Sequence, residues 1–117
     1  MVIEITLPFP PSVNTYWRMF QNRMIISKAG RSYRKATQDA VILQKANKQL
    51  GGELCVCIEA FRPDNRKRDL DNLLKATLDS LGHAGVYLDD SQITDLRIYW
   101  AKDKGGILKI KVWRKDE

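Results

Sequence analysis

The sequence has few of the residues that build zinc sites, disulfide frameworks or histidine-based catalysis. His83 is the only histidine, and Cys55 and Cys57 are the only cysteines among 117 residues. A single histidine excludes metal sites built on two histidines and argues against Ser/His or Cys/His nucleophiles. We interpret the cysteines as reduced strand residues, because they lie only two positions apart and have no second pair. His83 is interpreted as a solvated or capping residue at a helix end.

Long apolar runs are also absent. No stretch of 18 or more apolar residues occurs, so no membrane-spanning helix is predicted. The first segment, MVIEITLPFPPS, lacks the basic and apolar regions of a signal peptide. The composition, 44% hydrophobic and 29% charged, is typical of a folded chain. We therefore expect one domain over residues 1–117 that is cytoplasmic and has neither a membrane partner nor a small-molecule cofactor.

Acidic residues are scarce in the first half of the chain. Residues 1–50 contain eight lysines and arginines against only Glu4 and Asp39, whereas residues 51–117 contain twelve residues of each sign. The formal net charge of +6 therefore arises in the first half. Such an excess favours a polyanionic partner.

The first half predicts a strand, a hairpin and a long helix. Residues 2–7 alternate apolar and polar side chains, and three prolines at 8, 10 and 11 end that strand. The segment 12–27, with QNR at its centre, is consistent with an irregular hairpin. Ser27 is a candidate N-cap for a helix over 28–50 that Gly51 and Gly52 close. The predicted apolar stripe of this helix is Tyr33, Ala36, Ala40, Leu43 and Leu50.

The second half predicts an interior strand, a second helix and two more strands. Residues 53–62 are rich in apolar side chains, and leucines recur at helical spacing over 70–82. The runs 93–101 and 107–114 are joined by KDKGG, which favours a hairpin between them. The overall pattern indicates an α+β domain, with a small mixed sheet of about four to five strands packed against two main helices.

Ionisable residues are densest in RKRDLDNLLKATLD, residues 66–79. Asp69 falls at the cap position of the predicted helix, and Asp71 and Lys75 share a face turned away from the leucines. These residues are candidates for catalysis. An ordinary structural role is also open, since aspartates cap helices and an Asp–Lys surface pair contributes only about 0.2–0.5 kcal/mol.

A second acidic pair, Asp89 and Asp90, follows the glycine-containing loop after this helix. Aspartates are common in turns, so a purely structural role is again open. If the loop faces Asp69 and Asp71, three or four carboxylates share one site, which favours a hard divalent cation, Mg²⁺ or Mn²⁺. Such an ion beside Lys75 on a basic protein suits phosphodiester hydrolysis.

Basic segments near aromatic residues are candidates for contacts with DNA. The segments PDNRKR and KAGRSYRK supply cations, and Tyr16, Trp17, Phe20 and Tyr33 supply aromatic rings. Basic faces are often merely solvated, and that interpretation stays open. The candidate DNA-binding residues are Asn14, Arg18, Arg31, Arg34, Lys35, Arg66, Lys67 and Arg68.

Four segments taken together resemble the RusA-type Holliday-junction resolvases, an endodeoxyribonuclease family of bacteria, prophages and phages. The segments are LPFPPSVNTYWR at 7–18, ISKAGRSYR at 26–34, RKRDLDNLLKATLDSL at 66–81 and GVYLDDSQITDLR at 85–97. The resemblance implies that Asp69, Asp71 and Asp90 bind magnesium, that Asp89 supports them, and that Lys75 is catalytic. It also implies a homodimer that resolves four-way DNA junctions by paired symmetric nicks in recombination and repair.

Two other functions are consistent with the residues alone. The chain could be a non-catalytic protein that binds structured DNA, with its aspartates serving as caps and turns. It could instead be a nuclease for other branched DNA, such as flaps.

Overall fold

The structure, a computed structural model, describes residues 1–116. Four strands form one mixed sheet and two form a separate hairpin. The strands are β1 (Val2–Pro8), β2 (Trp17–Phe20), β3 (Arg23–Ile26), β4 (Leu54–Phe61), β5 (Ile93–Trp100) and β6 (Ile107–Arg114). The helices are α1 (Val13–Tyr16), α2 (Lys28–Leu43) and α3 (Leu74–His83), and two 3₁₀ turns cover Leu70–Leu73 and Asp90–Gln92. The predicted α+β class and the mixed sheet with two main helices are confirmed.

The main sheet has the strand order β1–β6–β4–β5. Strand β6 runs antiparallel to both β1 and β4, whereas β5 runs parallel to β4. The parallel pair is joined through α3, because parallel neighbours need a crossover connection rather than a tight turn. The predicted interior position of β4 is confirmed, since it has a partner on each side.

The predicted hairpin between the last two strands is wrong. Strand β4 lies between β5 and β6, so the KDKGG connector passes over the end of β4 instead of closing a turn. The connector is held there by backbone hydrogen bonds: Gly105 donates to Arg62 at 3.0 Å and Gly106 donates to Phe61 at 3.0 Å. Gly106 has a φ of +66°, which suits glycine at this bend.

The core lies between one face of the sheet and the helices. Apolar side chains that alternate along the strands are almost completely buried there, and Val41 of α2 and Leu81 of α3 pack against them. The strand residues of this layer include Ile5, Leu7, Val56, Ile58, Leu108 and Ile110. The opposite face carries polar and charged side chains, among them Glu4, Glu59 and Lys109, and remains open. The domain therefore has two layers.

Helix α2 is shorter than the glycine pair predicts. It ends at Leu43, and Lys45 adopts a left-handed φ of 58°. Lys45 N–H donates to the carbonyl of Ile42, and Ala46 N–H donates to that of Val41, a Schellman arrangement formed without glycine. The predicted stripe is therefore wrong at its end, because Leu43 is 83% exposed.

The predicted hairpin in residues 12–27 is confirmed, with the short helix α1 ahead of it. Strands β2 and β3 pair in antiparallel register around Gln21 and Asn22. The following helix starts close behind, since a Cβ on Gly30 would lie 2.5 Å from the carbonyl oxygen of Tyr16. Only glycine therefore lets α2 approach the root of the hairpin this closely.

The positions of the two cysteines and of His83 agree with the sequence analysis. Both cysteines are free and lie in β4, where Cys55 is buried and Cys57 half-buried. His83 is the exposed last residue of α3. No helix in residues 1–116 is long and apolar enough to cross a bilayer.

Candidate active site

Asp69 and Asp71 lie where the chain enters α3. Asp69 occupies the N-cap position of the 3₁₀ turn, but its carboxylate accepts no capping hydrogen bond. Only its backbone carbonyl takes part, accepting from Asn72 N–H at 3.2 Å. Both carboxylates are exposed. The capping interpretation therefore does not account for Asp69, whose carboxylate is left available to a ligand.

Lys75 follows one turn later, on the exposed surface of α3. It forms no ion pair with Asp71 or any other acidic residue in the part of the chain that the structure describes. Instead, its Nζ lies 5.6 Å from the centre of the Trp17 ring. The surface-pair interpretation is therefore wrong for this geometry, and the ammonium is held by an aromatic face.

Asp89 and Asp90 have different environments although they are neighbours. Asp89 is the N-cap of the second 3₁₀ turn, and its Oδ2 accepts from Ser91 N–H at 2.9 Å. Hydrogen bonds from Ser91 lower the pKa of Asp89. The carboxylate of Asp90 is exposed and accepts no hydrogen bond from residues 1–116. Asp89 thus has the structural role of a turn-capping residue, and Asp90 is the free carboxylate of the pair.

Gln92 fixes the loop that presents Asp90. Its Oε1 accepts from the N–H groups of Leu88 and Asp89, both at 2.8 Å, which completes a capping box. Its Nε2 donates to the carbonyls of Leu50 at 3.0 Å and Gly52 at 2.9 Å. The sequence analysis assigned this residue no role, although an acceptor followed three residues later by Gln is the signature of a capping box.

A network of Tyr16, Arg34 and Asp79 ties α1, α2 and α3 together. The Tyr16 hydroxyl donates to Oδ2 of Asp79, and the same oxygen accepts from Arg34 Nη2 at 2.7 Å. Arg34 Nε also donates to the Tyr16 hydroxyl at 2.9 Å. Burial acts to raise the pKa of Asp79, but the hydrogen bonds from Tyr16 and Arg34 outweigh it and the pKa lies below its usual value.

This network was not predicted from the sequence. Asp79 stands one helical turn after Lys75, so helical spacing relates it to Lys75 but gives no signal for its contact with Tyr16. Tyr16 and Tyr33 were considered as stacking surfaces for DNA, but both are buried, so that expectation is wrong for them. Trp17 and Phe20 are accessible.

Three of the candidate DNA-binding residues meet Asp69 at one cleft of about 470 Å³. Asn14, Lys67 and Arg68 line it together with Asp69. Arg68 forms a two-pronged ion pair with Asp64 at 2.7 and 3.1 Å, which holds the pKa of Asp64 well below its usual range.

The other candidate DNA-binding residues are more scattered. Arg66 lies 3.4 Å from Asp64, Lys35 pairs with Asp39 at 2.7 Å, and Arg31 donates to the carbonyl of Ile26 at 3.0 Å. Arg18 is exposed on the hairpin. Arg34 is only 25% exposed and holds Asp79. The structure thus gives Arg34 a bracing position, and its contact with DNA stays a prediction.

The expected cluster of three or four carboxylates does not form among the residues that the structure describes. Asp90 lines a second cleft of about 230 Å³ with Asp79, His83 and Asp89, whereas Asp69 lines the first. Within residues 1–116, no three His, Cys, Asp or Glu side chains form a set that could hold a metal ion.

The donor chemistry still fits a hard divalent cation. Asp69, Asp71 and Asp90 are exposed carboxylates without a protein partner in residues 1–116. Magnesium in phosphoryl-transfer sites is commonly bound by one or two carboxylates, with phosphate and water oxygens completing its shell. A full set of protein ligands within one chain is therefore not required.

Comparison with known proteins identifies the family to which this chain is similar. The family model described as Endodeoxyribonuclease RusA matches residues 8–113. A crossover junction endodeoxyribonuclease rusA of Enterobacteria phage HK97 is 44% identical over 110 residues, covering 93% of this chain and 92% of the relative. The corresponding protein of Escherichia coli strain K12 is 42% identical over 112 residues, with the same coverage. The chain belongs to the RusA family of endodeoxyribonucleases.

Proposed function

We propose that this protein resolves Holliday junctions, cutting four-way DNA by paired symmetric nicks in recombination and repair. The observation that carries the proposal is a set of exposed carboxylates, Asp69, Asp71 and Asp90, that have no partner within residues 1–116. In the same range Lys75 is exposed and forms no ion pair. Family membership supports the same reaction, because the relatives at 40–44% identity are named crossover junction endodeoxyribonucleases.

Asp69, Asp71 and Asp90 would hold Mg²⁺, for which Mn²⁺ could substitute. The ion would supply a Lewis acid for the scissile phosphate and would lower the pKa of a water molecule. Lys75 stabilises the negative charge that accumulates on the phosphate or on the leaving oxygen. Trp17 directs the lysine by covering one side of its ammonium group. Asp89 supports the site by capping the turn that carries Asp90.

DNA is held by the basic residues around the first cleft and on the surface of the N-terminal half. Asn14, Lys67 and Arg68 contact phosphates near Asp69, and Arg18 and Arg31 extend the positive surface. Arg66, Lys35 and Arg34 contribute further positive charge. Two symmetric nicks need two active sites, so the functional unit is a homodimer, and it acts in the cytoplasm.

The non-catalytic alternative is weakened by Asp69. A protein that uses its aspartates only as caps should have a capping hydrogen bond at this position, and the Asp69 carboxylate has none. Of the four candidate aspartates, all within the described residues 1–116, Asp89 alone accepts a capping hydrogen bond, as that alternative requires.

Cleavage assays on a panel of substrates test the proposed function. A mobile four-way junction, a flap and a linear duplex of matched sequence should be incubated with the protein, with Mg²⁺ and with EDTA. We expect Mg²⁺-dependent paired nicks in the junction and no cleavage of the duplex. Equal or faster cleavage of the flap would assign a different substrate, and binding without nicking of any substrate would support the non-catalytic alternative.

A further inference from the structure

The β2–β3 hairpin carries an apolar stripe that the body of the protein covers only at one end. Trp17 pairs with Ile26 and Met19 pairs with Met24, so all four side chains share one face. Trp17 and Ile26 pack on the small core cluster beneath α2 and α3. Met19 and Met24 are each 60% exposed. The stripe therefore runs out of the protein and ends uncovered at the tip.

The other face of the tip presents an aromatic ring among cations. Phe20 pairs with Arg23 across the hairpin and is 48% exposed. The guanidinium carbon of Arg18 lies 5.4 Å from the centre of the Phe20 ring. Neither arginine forms an ion pair in residues 1–116. Both faces of the tip are thus apolar or aromatic, with positive charge beside them.

The charge of the surrounding chain favours an anionic partner. No acidic residue occurs between Glu4 and Asp39, a stretch that contains six lysines and arginines. Two copies of this hairpin would bring like charges together, which opposes a contact between hairpins. A polyanion with exposed apolar rings is complementary to the positive charge and to the apolar tip of the hairpin. DNA with unstacked bases has that chemistry.

The hairpin is short, closes with a two-residue turn and starts beside the candidate active site. Gln21 and Asn22 have φ values of 50° and 60°, the positive values that a two-residue type I′ turn requires. At the root, the Trp17 ring contacts Lys75. The tip lies three residues farther, about 10 Å along the strand at about 3.3 Å per residue. It is therefore placed a few nucleotides from a phosphate held at Lys75.

We propose that Met19, Phe20 and Met24 contact nucleobases unstacked at a DNA branch point, while Arg18 and Arg23 bind the neighbouring phosphates. This inference rests on the proposed function and gives it a source of selectivity. Bases within a continuous duplex are stacked and unavailable to apolar side chains, whereas stacking is interrupted where strands exchange. Inserted Phe and Met side chains are a known means of engaging such steps.

Fluorescence of 2-aminopurine tests this contact. The base is placed either at the branch point or in the middle of one arm of an immobile four-way junction, and binding is measured without divalent cations. Variants Phe20→Ala and Met19→Ser/Met24→Ser are compared with Leu43→Ala, which removes an exposed apolar side chain from α2. Phe20→Tyr keeps the ring and serves as the conservative variant. Circular dichroism and sedimentation establish folding and oligomeric state for each variant.

Wild type and Leu43→Ala should change the fluorescence at the branch point but not in the arm. Phe20→Ala should abolish that change and weaken junction binding by roughly 5- to 150-fold, the range for loss of one stacked base, while Phe20→Tyr restores both. Binding to linear duplex should change less than about twofold for all variants.

Three results would overturn the inference. One is an unchanged branch-point signal in Phe20→Ala, and another is an equal loss of junction and duplex binding. The third is conversion of a dimer to a monomer by the tip substitutions, which would assign the tip to a contact between protein chains. A wild-type protein that neither prefers nor cuts junctions would instead refute the proposed function itself.

Discussion

Substitution of Tyr16 by Phe tests the network that braces the candidate active site. The hydroxyl donates to Asp79 and accepts from Arg34, and the tyrosine is completely buried. Its removal leaves Asp79 with Arg34 as its remaining hydrogen-bond donor. A hydrogen bond to a charged group contributes about 1.5–3 kcal/mol, so the free energy of unfolding should fall by that amount.

The expected loss corresponds to a clear change in melting temperature. The entropy of unfolding is about 2.1 cal/mol/K per residue, and the chain has 117 residues. Dividing the expected loss of free energy by this entropy predicts that the melting temperature falls by roughly 6–12 °C. Tyr99→Phe is a matched control, because the Tyr99 hydroxyl has no hydrogen-bond partner in residues 1–116 and its melting temperature should stay close to that of the wild type. Thermal and urea unfolding followed by circular dichroism provide both values.

The stability difference between wild type and Tyr16→Phe should also depend on pH in a defined direction. The folded-state pKa of Asp79 is depressed, so the stability it contributes is present above the unfolded pKa of 3.8 and is lost as pH falls through the folded value. The difference between wild type and Tyr16→Phe should therefore be constant near neutral pH and shrink below about pH 4. A Tyr16→Phe protein within about 0.5 kcal/mol of the wild type at pH 7, or a difference that grows in acid, would refute this reasoning.

Three further substitutions follow from local geometry. Gly30→Ala places a Cβ 2.5 Å from the Tyr16 carbonyl oxygen, so the free energy of unfolding measured in urea should fall by about 1–3 kcal/mol. The exposed control Ser32→Ala should change it little. Equal stabilities of the two variants would contradict the close approach. Gln92→Glu keeps the acceptor of the capping box but loses both hydrogen bonds that Gln92 donates. Junction cleavage should therefore slow, and the free energy of unfolding should fall by about 1–3 kcal/mol. Wild-type values for both would contradict a bracing role. Lys75→Met should reduce single-turnover cleavage at least a hundredfold while junction binding changes little, and a parallel loss of binding would indicate a phosphate-contact role instead.

Most of the fold follows from local patterns in the sequence. Alternating apolar side chains identify β1, β4 and β6, and the leucine spacing identifies α3, because each pattern matches the period of its element. The end of α2 was not predictable in this way, since Lys45 adopts the left-handed conformation that usually indicates glycine. The position of β4 between β5 and β6 was missed because a glycine-containing connector looks the same whether it closes a hairpin or crosses a third strand.

The candidate site was predicted unevenly for a similar reason. Asp69, Asp71 and Lys75 are close in sequence, so helical spacing alone relates them. The contact of Tyr16 with Asp79 joins residues 63 positions apart, and Gln92 reaches Leu50 across 42 positions. Single-sequence patterns carry no signal for such distant pairs. The same limit explains why a shared cluster of Asp69, Asp71 and Asp90 was expected although the described part of the chain, residues 1–116, does not form it.

Single-turnover cleavage of a mobile four-way junction by Asp71→Asn tests the central claim most directly. Asp103→Asn makes the same charge change at an exposed position in the connector before β6 and serves as the matched control. We expect Asp71→Asn to bind the junction with nearly wild-type affinity and to show no cleavage in Mg²⁺ or Mn²⁺, while Asp103→Asn cuts normally. Cleavage by Asp71→Asn at the wild-type rate in Mg²⁺ would contradict the assignment of the carboxylates at the start of α3 as the metal-binding centre of this nuclease.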